Sequence, residues 1–316
     1  MREALQTREA VLGEVARAVV GKDEVIARMF AAMLAGGHIL LEDRPGVGKT
    51  TLSAAFARVF ALDYRRMQFT PDVLPSDVVG FSMYEKESGR FVYREGSVMC
   101  NLFLADEINR TSSRTQSALL EVMEEGRVTV DGVTREVPKP FLVIATQNPS
   151  GSAGTQLLPE SQLDRFMVRL SMGYPDKKSE VRLLKERSYT NPLELVETVT
   201  DAEGLAEMQR AVSLVSVQEE LYEYVVRLVT TTREHELIES GVSPRGSLAL
   251  VGMAKAWAYL KGRDYVLPSD IRTVFDSVCG HRIRLSARAR AAGVSTAELL
   301  KEVQKSIPAP KLVDRR

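Results

Sequence analysis

Residues 43–50, DRPGVGKT, combine two glycines with a lysine and a threonine that stand side by side. This pattern is typical of a phosphate-binding loop, in which backbone N–H groups and a helix N-terminus surround an anion. The lysine would reach the terminal phosphates of a nucleotide, and the threonine hydroxyl would bind Mg²⁺. The sequence therefore predicts a nucleotide site with Lys49 and Thr50 at its centre.

One position of this loop departs from the usual G-x-x-x-x-G-K-[ST] pattern, because Asp43 stands where the first glycine is expected. At ~6 Å and an effective dielectric of about 20, a carboxylate and a phosphate repel by about 3 kcal/mol, roughly a hundredfold in affinity. We therefore expect the Asp43 carboxylate to point away from the phosphates and to accept hydrogen bonds from local backbone N–H groups. The alternative is an ordinary strand–turn–helix whose lysine faces solvent.

A pair of acidic residues, Asp106 and Glu107, follows the apolar run at residues 102–105. Open α/β sheets place their ligand sites at the carboxyl ends of such buried strands. Asp106 would then help to hold Mg²⁺, and Glu107 would activate the attacking water. The alternative is a helix N-cap, where acidic residues are also favoured. The phosphate loop earlier in the chain favours the catalytic interpretation.

Three further polar residues complete a catalytic set. Asn148 would hydrogen-bond the γ-phosphate or the attacking water, although it is equally suited to open a turn before Pro149. Arg165 would stabilise charge on the transferring phosphoryl group from a neighbouring subunit, and Arg245 would point at phosphate from the start of a helix. Taken singly, each arginine is better explained as an ordinary surface residue, because the chain has many. Their position in the order of motifs favours the functional interpretation.

The segments between these residues predict the elements that position them. Short apolar runs without alternation are typical of strands that are covered on both faces. Such runs occur at residues 38–41, 102–105 and 141–145, with a weaker one at 65–69. They alternate with helical periodicity up to about residue 170, after an amphipathic helix over residues 1–20. The first part of the chain is therefore predicted to be α/β with a parallel sheet.

Two predicted β-hairpins interrupt this alternation. One covers residues 81–93 and the other residues 127–137, where an Asp-Gly turn gives a strong hairpin signal. Hairpin insertions are usually surface decoration. These two flank the presumed catalytic strand, which favours a working role.

The second part of the chain has wholly helical periodicity from about residue 195. Helices are predicted over residues 201–214, 218–234, 244–261, 268–278 and 295–305. N-terminal caps are expected at residues 268–270 and, as a capping box, at residues 295–298. The best domain boundary lies at residues 189–192, which divides the chain into residues 1–190 and 191–316.

The composition makes several classes of protein less favoured. Forty-two basic residues balance forty-two acidic ones, so no global charge attracts nucleic acid or an anionic membrane. No apolar run approaches the ~20 residues of a membrane helix. The N-terminal segment lacks the apolar core of a signal peptide. Cys100 and Cys279 are expected to be buried, unpaired thiols, and the simplest compartment is a reducing cytoplasm.

The order of motifs resembles that of the MoxR family of AAA+ ATPases, in the helix-2-insert group. The matching segments are GKDEV at 21–25, PGVGKT at 45–50, QFTPDVLPSDVVG at 68–80, LADEINRTSSRTQSALLEVMEEG at 104–126, ATQNP at 145–149, LPESQLDRF at 158–166 and SPRGSLAL at 243–250. Together they extend over nearly the whole chain. The resemblance implies an AAA+ P-loop NTPase core with hairpin inserts, followed by an all-helical lid.

The resemblance also implies a role for each candidate residue. Lys49 and Thr50 are Walker A residues, Asp106 and Glu107 Walker B, Asn148 sensor 1, Arg165 the arginine finger and Arg245 sensor 2. The expected nucleotide contacts are Val20 and Gly21 at the adenine, then Pro45, Gly46, Val47, Gly48, Lys49, Thr50 and Thr51. The implied cofactors are ATP and Mg²⁺, with Thr50 and Asp106 as metal ligands. The hairpins would be the helix-2 insert and the pre-sensor hairpin.

The family implies ring hexamers that couple ATP hydrolysis to the remodelling or activation of client proteins. Its usual partners carry von Willebrand A domains, so a separate chain with such a domain is the expected partner. Three alternatives stay open: a nucleic-acid motor, a metal-chelatase motor subunit and a slow nucleotide-gated scaffold. Neutral charge and few aromatic residues make a nucleic-acid partner the less favoured of these.

Overall fold

Strands and helices alternate through the first half of the chain, and helices dominate the second. A computed structural model describes residues 2–148, 158–187 and 191–311. The strands are β1 (Ile39–Glu42), β2 (Tyr64–Gln68), β3 (Gly80–Glu85), β4 (Arg90–Glu95), β5 (Leu102–Asp106), β6 (Arg127–Val130), β7 (Val133–Glu136), β8 (Leu142–Gln147), β9 (Val168–Leu170), β10 (Ile238–Ser240) and β11 (Arg284–Leu285). The α-helices are α1 (Arg2–Ala18), α2 (Asp23–Leu34), α3 (Lys49–Val59), α4 (Pro75–Val79), α5 (Ser113–Glu125), α6 (Glu160–Leu163), α7 (Lys177–Arg187), α8 (Ala202–Ser213), α9 (Glu219–Glu234), α10 (Pro244–Leu260), α11 (Pro268–Cys279), α12 (Ala287–Ala291) and α13 (Thr296–Ser306).

The central sheet has five parallel strands in the order β2-β5-β8-β1-β9. Every residue of β5 is buried, as its unbroken apolar pattern predicts. Leu102 and Leu104 pack into one core, and Phe103 and Ala105 pack into a second core on the opposite face. The predicted parallel sheet is therefore confirmed. Because its strands are parallel, their carboxyl ends meet at one edge.

One strand of this sheet has no counterpart among the predicted ones. Strand β9 pairs with β1, with Arg169 opposite Leu40. It is three residues long, and its central residue is charged. The other strands were predicted from unbroken apolar runs. In β9 the charged central residue interrupts the run, so no such pattern is left.

The two predicted hairpins are present. Strands β3 and β4 pair from Gly80 opposite Glu95 to Glu85 opposite Arg90. Strands β6 and β7 pair around the Asp131-Gly132 turn, where both residues have positive φ, 51° and 76°. Positive φ at both central residues is the geometry of the tight hairpin turn that the Asp-Gly pair predicts.

The second part of the chain contains short elements that the sequence did not predict, among them helix α12. The five predicted helices are present within a few residues, but β10 and β11 form an antiparallel pair among them. The helical lid is confirmed apart from this short pair, which was not predicted because strands of two and three residues are too short to show a period. The capping box is present: Ser295 Oγ accepts from the Glu298 N–H, and the Glu298 carboxylate accepts from the Ser295 N–H. Helix α11 begins after Leu267, whose N–H donates to Asp270.

Other predictions concern single residues or the chain as a whole. Cys100 and Cys279 are buried and unpaired, as expected. Within the described ranges, no helix has the length and apolar character needed to cross a membrane. Part of the predicted domain boundary, residues 189–190, lies outside the described residues, as does Pro149.

Candidate nucleotide-binding site

The loop between β1 and α3 has a backbone shape that requires its two glycines. Gly46 and Gly48 have φ angles of 83° and 96°, a region that residues with a Cβ rarely adopt. Gly48 is the N-cap of α3, so the loop leads directly into the first turn of an 11-residue helix. The N–H groups of this first turn and the positive end of the helix dipole are suited to bind an anion.

Lys49 is the first residue of α3, and its side chain is buried beside the loop. Its Nζ atom donates a hydrogen bond of 2.7 Å to the backbone oxygen of Asp43. Burial lowers the pKa of Lys49, whereas the nearby carboxylates, that of Asp43 foremost, act in the opposite direction. The ammonium group is therefore held within the loop.

The Asp43 carboxylate binds to the segment that follows β9. It accepts hydrogen bonds from Ser171 Oγ at 2.9 Å, from the Gly173 N–H at 3.2 Å and from the Met172 N–H. Backbone N–H partners were expected, but the prediction that they are local to the loop is wrong. They come from the segment after β9, the strand that pairs with β1 and that the sequence did not reveal. The carboxylate lines a separate cavity of about 530 Å³, next to the loop, together with Val47 and Tyr174.

The phosphate loop opens into a cavity of about 390 Å³. Lys49, Thr50, Asp106, Glu107 and Asn148 all line it, although they come from three distant segments of the chain. Asp106 ends β5 and Asn148 follows β8, the neighbouring strand, while the loop follows β1 on the far side of β8. The shared edge of the parallel sheet thus brings these side chains together.

Asp106 has a hydrogen-bond partner for each of its carboxylate oxygens. Thr146, on the adjacent strand, donates to Oδ1 at 2.6 Å. Arg66, on β2, donates to Oδ2 through Nη2 at 2.8 Å and through Nε at 3.1 Å. Asp106 and Thr50 line the same cavity, and carboxylate and hydroxyl oxygens are hard donors of the kind that Mg²⁺ prefers. These two residues fit the predicted metal site.

Glu107 has an unusual backbone and a fully engaged side chain. Its φ and ψ angles, 56° and 47°, lie in the left-handed region, which is uncommon for a residue with a side chain. Asn148 donates to Oε1 at 2.9 Å, Gln68 donates to Oε2 at 2.9 Å, and Arg110 donates to the same oxygen at 2.8 Å. The carboxylate is therefore held by donors from three segments of the chain.

The two candidate arginines lie together in a different cavity, of about 420 Å³. Arg165 donates to the backbone oxygen of Leu120 at 2.6 Å and forms an ion pair of 3.1 Å with Glu124 Oε2. Arg245 pairs with the other oxygen of Glu124. The described residues that line the cavity of Lys49 do not include either arginine. The structure thus divides the predicted catalytic set into two groups.

The expected adenine contacts, Val20 and Gly21, lie in the turn that follows α1. A Cβ on Gly21 would stand 2.2 Å from Ser179 Oγ, so this turn packs closely against the start of α7. The described residues that line the two cavities beside the loop include neither Val20 nor Gly21. Their contact with adenine stays a prediction.

Several residues of the site had no role assigned from the sequence: Arg66, Gln68, Thr146, Arg110 and Glu124. A signal exists for the first two, since Arg66 and Gln68 alternate along β2 and therefore share one face of it. That face ends beside Asp106 and Glu107 because β2 pairs with β5. This signal was not recognised because β2 contains few apolar residues.

Comparison with known proteins yields two family matches. Residues 38–168 match the ATPase family associated with various cellular activities (AAA), and residues 230–303 match the AAA lid domain. The first match spans the phosphate loop, the acidic pair and Arg165. The second begins within α9 and includes Arg245.

Similar proteins extend over almost the whole chain. The Bacillus subtilis protein YeaC is 47% identical over 294 residues, which are 93% of this chain and 92% of that protein. The Chaperone MoxR1 of Mycobacterium tuberculosis is 38% identical over 98% of this chain and 84% of its own length. A crystal structure of a candidate ATPase from Cytophaga hutchinsonii has a TM-score of 0.90 at 38% identity and covers 98% of both chains.

Proposed function

The chain belongs to the MoxR family of AAA+ ATPases, and from this premise we propose that it hydrolyses ATP to remodel, assemble or activate client proteins. The observation that carries the proposal is the convergence of Lys49, Thr50, Asp106, Glu107 and Asn148 on one cavity. These five residues supply the groups that phosphoryl transfer to water requires. The proposed domains are residues 1–190 for the nucleotide-binding core and residues 191–316 for the lid.

Each residue of the cavity has a proposed task. Lys49 and the N–H groups at the start of α3 bind the β- and γ-phosphates. Thr50 and Asp106 would hold Mg²⁺, which neutralises phosphate charge when it is bound. Glu107 accepts a proton from the attacking water, and Asn148, at 2.9 Å, orients the Glu107 carboxylate. The neighbouring cavity, beside Val47 and Tyr174, provides space for the base and sugar.

Arg165 and Arg245 supply the other half of the site, in our proposal, to a neighbouring subunit. Their guanidinium groups share one carboxylate, that of Glu124, in a cavity separate from that of Lys49. A phosphate group that entered between them would compete with Glu124 for both cations. This arrangement supports a ring assembly, for which we propose the hexamer that is typical of the family.

The client and the partner are also proposals. A von Willebrand A domain protein is the partner that the family implies, and the name of the similar Chaperone MoxR1 supports action on proteins. To test this, Glu107→Gln protein loaded with ATP is used to capture partners, with Lys49→Ala protein as the control that does not retain nucleotide. Recovery of a von Willebrand A protein only with Glu107→Gln supports the proposal. Recovery of single-stranded nucleic acid or of chelatase components would support the motor alternatives.

Hydrolysis is tested by phosphate release from ATP with Mg²⁺ present. We expect the Glu107→Gln protein to bind ATP with an affinity close to that of the wild type and to lose turnover by roughly a hundredfold or more, since general base catalysis supplies about that factor. Normal turnover in this variant would show that Glu107 does not activate the water. If the wild type is as slow as the variant, the nucleotide-gated scaffold becomes the better description.

A further inference from the structure

Arg282 is a buried arginine outside the nucleotide cavity, and every N–H group of its side chain is used. Its side chain is only 2% exposed. Nε donates to Asp164 Oδ1 at 2.7 Å, Nη2 donates to the backbone oxygens of Asp164 and Phe166, and Nη1 donates to those of Met167 and Val278. A guanidinium has five donors in a rigid planar fork, so all five are satisfied.

The acceptors of Arg282 surround Arg165 in the sequence. Asp164 precedes Arg165, whereas Phe166 and Met167 follow it, and the bonds to their backbone oxygens measure 3.1, 2.7 and 3.1 Å. His281 adds a further hydrogen bond to this backbone, because its Nε2–H donates to the Phe166 oxygen at 2.9 Å. The backbone on both sides of Arg165 is therefore fastened to the segment between α11 and β11.

A second link joins the same carboxylate to the helix that carries Arg245. Ser243 Oγ donates to Asp164 at 2.8 Å. Ser243 is also the N-cap of α10, where its oxygen accepts from the Gly246 N–H at 3.1 Å. Arg245 is the second residue of that helix. Asp164 thus connects the arginine of the core loop with the arginine of the lid helix.

Close packing strengthens this link. A Cβ on Gly246 would stand 2.7 Å from Cδ of Arg282, so the first turn of α10 rests directly on the Arg282 side chain. Only a residue without a side chain permits this approach. The loop of Arg165, the side chain of Arg282 and the first turn of α10 therefore form one packed unit.

We infer that Arg282 is a positioning residue, which acts with Asp164 and Ser243 to hold Arg165 and Arg245 in a fixed relation so that both reach a neighbouring subunit's nucleotide together. The inference rests on the proposed function, in which these two arginines act across the interface. Three of the five acceptors of Arg282 are backbone oxygens on both sides of Arg165, so the position of Arg282 is coupled to that of Arg165. Arg282 itself touches no reacting group.

The direct test uses Arg282→Lys, which keeps the charge but loses the planar fork. Arg284→Lys is the matched control, because Arg284 lies two residues further on and its side chain is 49% exposed. We expect Arg282→Lys to lower kcat at least roughly tenfold, since misplaced catalytic groups cost about that much or more, while the KM for ATP changes less than about twofold. Arg284→Lys should keep its turnover. Normal kcat in Arg282→Lys, or equal effects of both variants, would overturn the inference.

Mixing experiments separate positioning from a general loss of structure. Arg282→Lys subunits have an intact nucleotide cavity, so mixing them with Glu107→Gln subunits should restore turnover above the sum of the two separate proteins. Mixing them with Arg165→Ala subunits should restore nothing, because both variants are deficient in the same half of the site. Absence of restoration in the first mixture, or restoration in the second, would contradict the positioning role.

A second pair of variants applies even if Arg282→Lys does not fold. Ser243→Asp retains an N-cap acceptor but replaces the hydrogen bond to Asp164 with repulsion, whereas Ser243→Asn retains both a cap and a donor. We expect a roughly tenfold or greater loss of kcat in the first and most of the wild-type turnover in the second. Equal turnover in the two would refute the inference. If Arg165→Ala itself keeps wild-type turnover, the proposed role of the arginines fails instead, which distinguishes the two failures.

Discussion

Gln68 donates a hydrogen bond of 2.9 Å to Oε2 of Glu107, the carboxylate proposed to activate water. With Arg110 on the same oxygen and Asn148 on the other, the carboxylate has a donor on each side. A carboxylate has about four acceptor positions, so these three donors leave room for about one more. Gln68 and the attacking water therefore compete for the acceptor positions of Glu107.

This relation predicts that Gln68→Ala raises basal turnover. The variant removes one of the two donors to Oε2, and we expect turnover to rise by about two- to fivefold. The rise is smaller than the loss of a whole hydrogen bond to a charged group would give, because Arg110 still donates to the same oxygen. Steady-state phosphate release measures it. The double variant Gln68→Ala/Glu107→Gln is the control and should stay inactive. A fall in turnover in the single variant would mean that Gln68 assists the reaction.

Nucleotide affinity should depend on Lys49 and not on lysines in general. Lys49→Ala removes the buried cation of the phosphate loop, and we expect binding of ATP to weaken by roughly a hundredfold, as for the loss of a charged contact in a desolvated site. Calorimetric titration with ATP measures the change. Lys301→Ala, at an exposed position of α13, is the matched control and should bind normally. Comparable losses in both would refute the loop assignment.

The two arginines should behave as members of the same half-site. Arg165→Ala and Arg245→Ala are each expected to lose turnover, by up to about a thousandfold for a finger residue, and each should regain some of it when mixed with Glu107→Gln subunits. The two arginine variants mixed with each other should regain much less, because every interface then lacks one guanidinium. Strong restoration in that last mixture would indicate that Arg245 acts on the nucleotide of its own subunit.

Asp43 should matter for stability more than for binding. Asp43→Gly leaves Ser171 and the N–H groups of Met172 and Gly173 without their acceptor, and we expect a loss of about 2 to 3 kcal/mol in the free energy of unfolding. ATP affinity should change only a few-fold. Urea unfolding and ATP titration measure the two effects, with Asp264→Asn, an exposed carboxylate, as control. A large gain in affinity would mean that the carboxylate faces the phosphates.

His38 predicts a loss of stability in mild acid. Its Nε2–H donates to the Met123 oxygen, its Nδ1 accepts from the Val143 N–H, and burial lowers its pKa to about 4. The unfolded chain, with an ordinary histidine pKa, binds the proton first, so stability is present above about pH 6.5 and is lost as the pH falls toward 4. Between pH 7 and pH 5 this single group should lower the free energy of unfolding by about 2 kcal/mol.

His38→Gln removes this titration and serves as the comparison. Urea unfolding at pH 7 and pH 5 gives the difference in the free energy of unfolding between wild type and variant. Burial also lowers the pKa of His281, but His281 is present in both proteins and its contribution cancels. The gap between wild type and variant should therefore shrink by about 2 kcal/mol in acid. A gap that does not depend on pH would show that His38 is not held neutral in the folded protein.

Much of the fold was predictable because its signals are local. The runs at 102–105 and 141–145 are unbroken and apolar, so burial on both faces follows from the residues alone. The Asp131-Gly132 turn predicts its hairpin through backbone preference. Strand β9 was not predicted because Arg169 interrupts its three residues. The pairing of β10 with β11 was not predicted because it joins segments more than forty residues apart.

Residue types and their order in the chain were enough to indicate a nucleotide cavity, because loop geometry, strand burial and capping depend on neighbours in the sequence. Only the tertiary structure decided how the candidates are grouped. It directed the Asp43 carboxylate to the segment after β9 and bonded Gln68 to Glu107. It also separated Arg165 and Arg245 from Lys49. Those relations depend on which strands are adjacent and where the lid helices pack, and such distant contacts leave no periodic pattern along the chain.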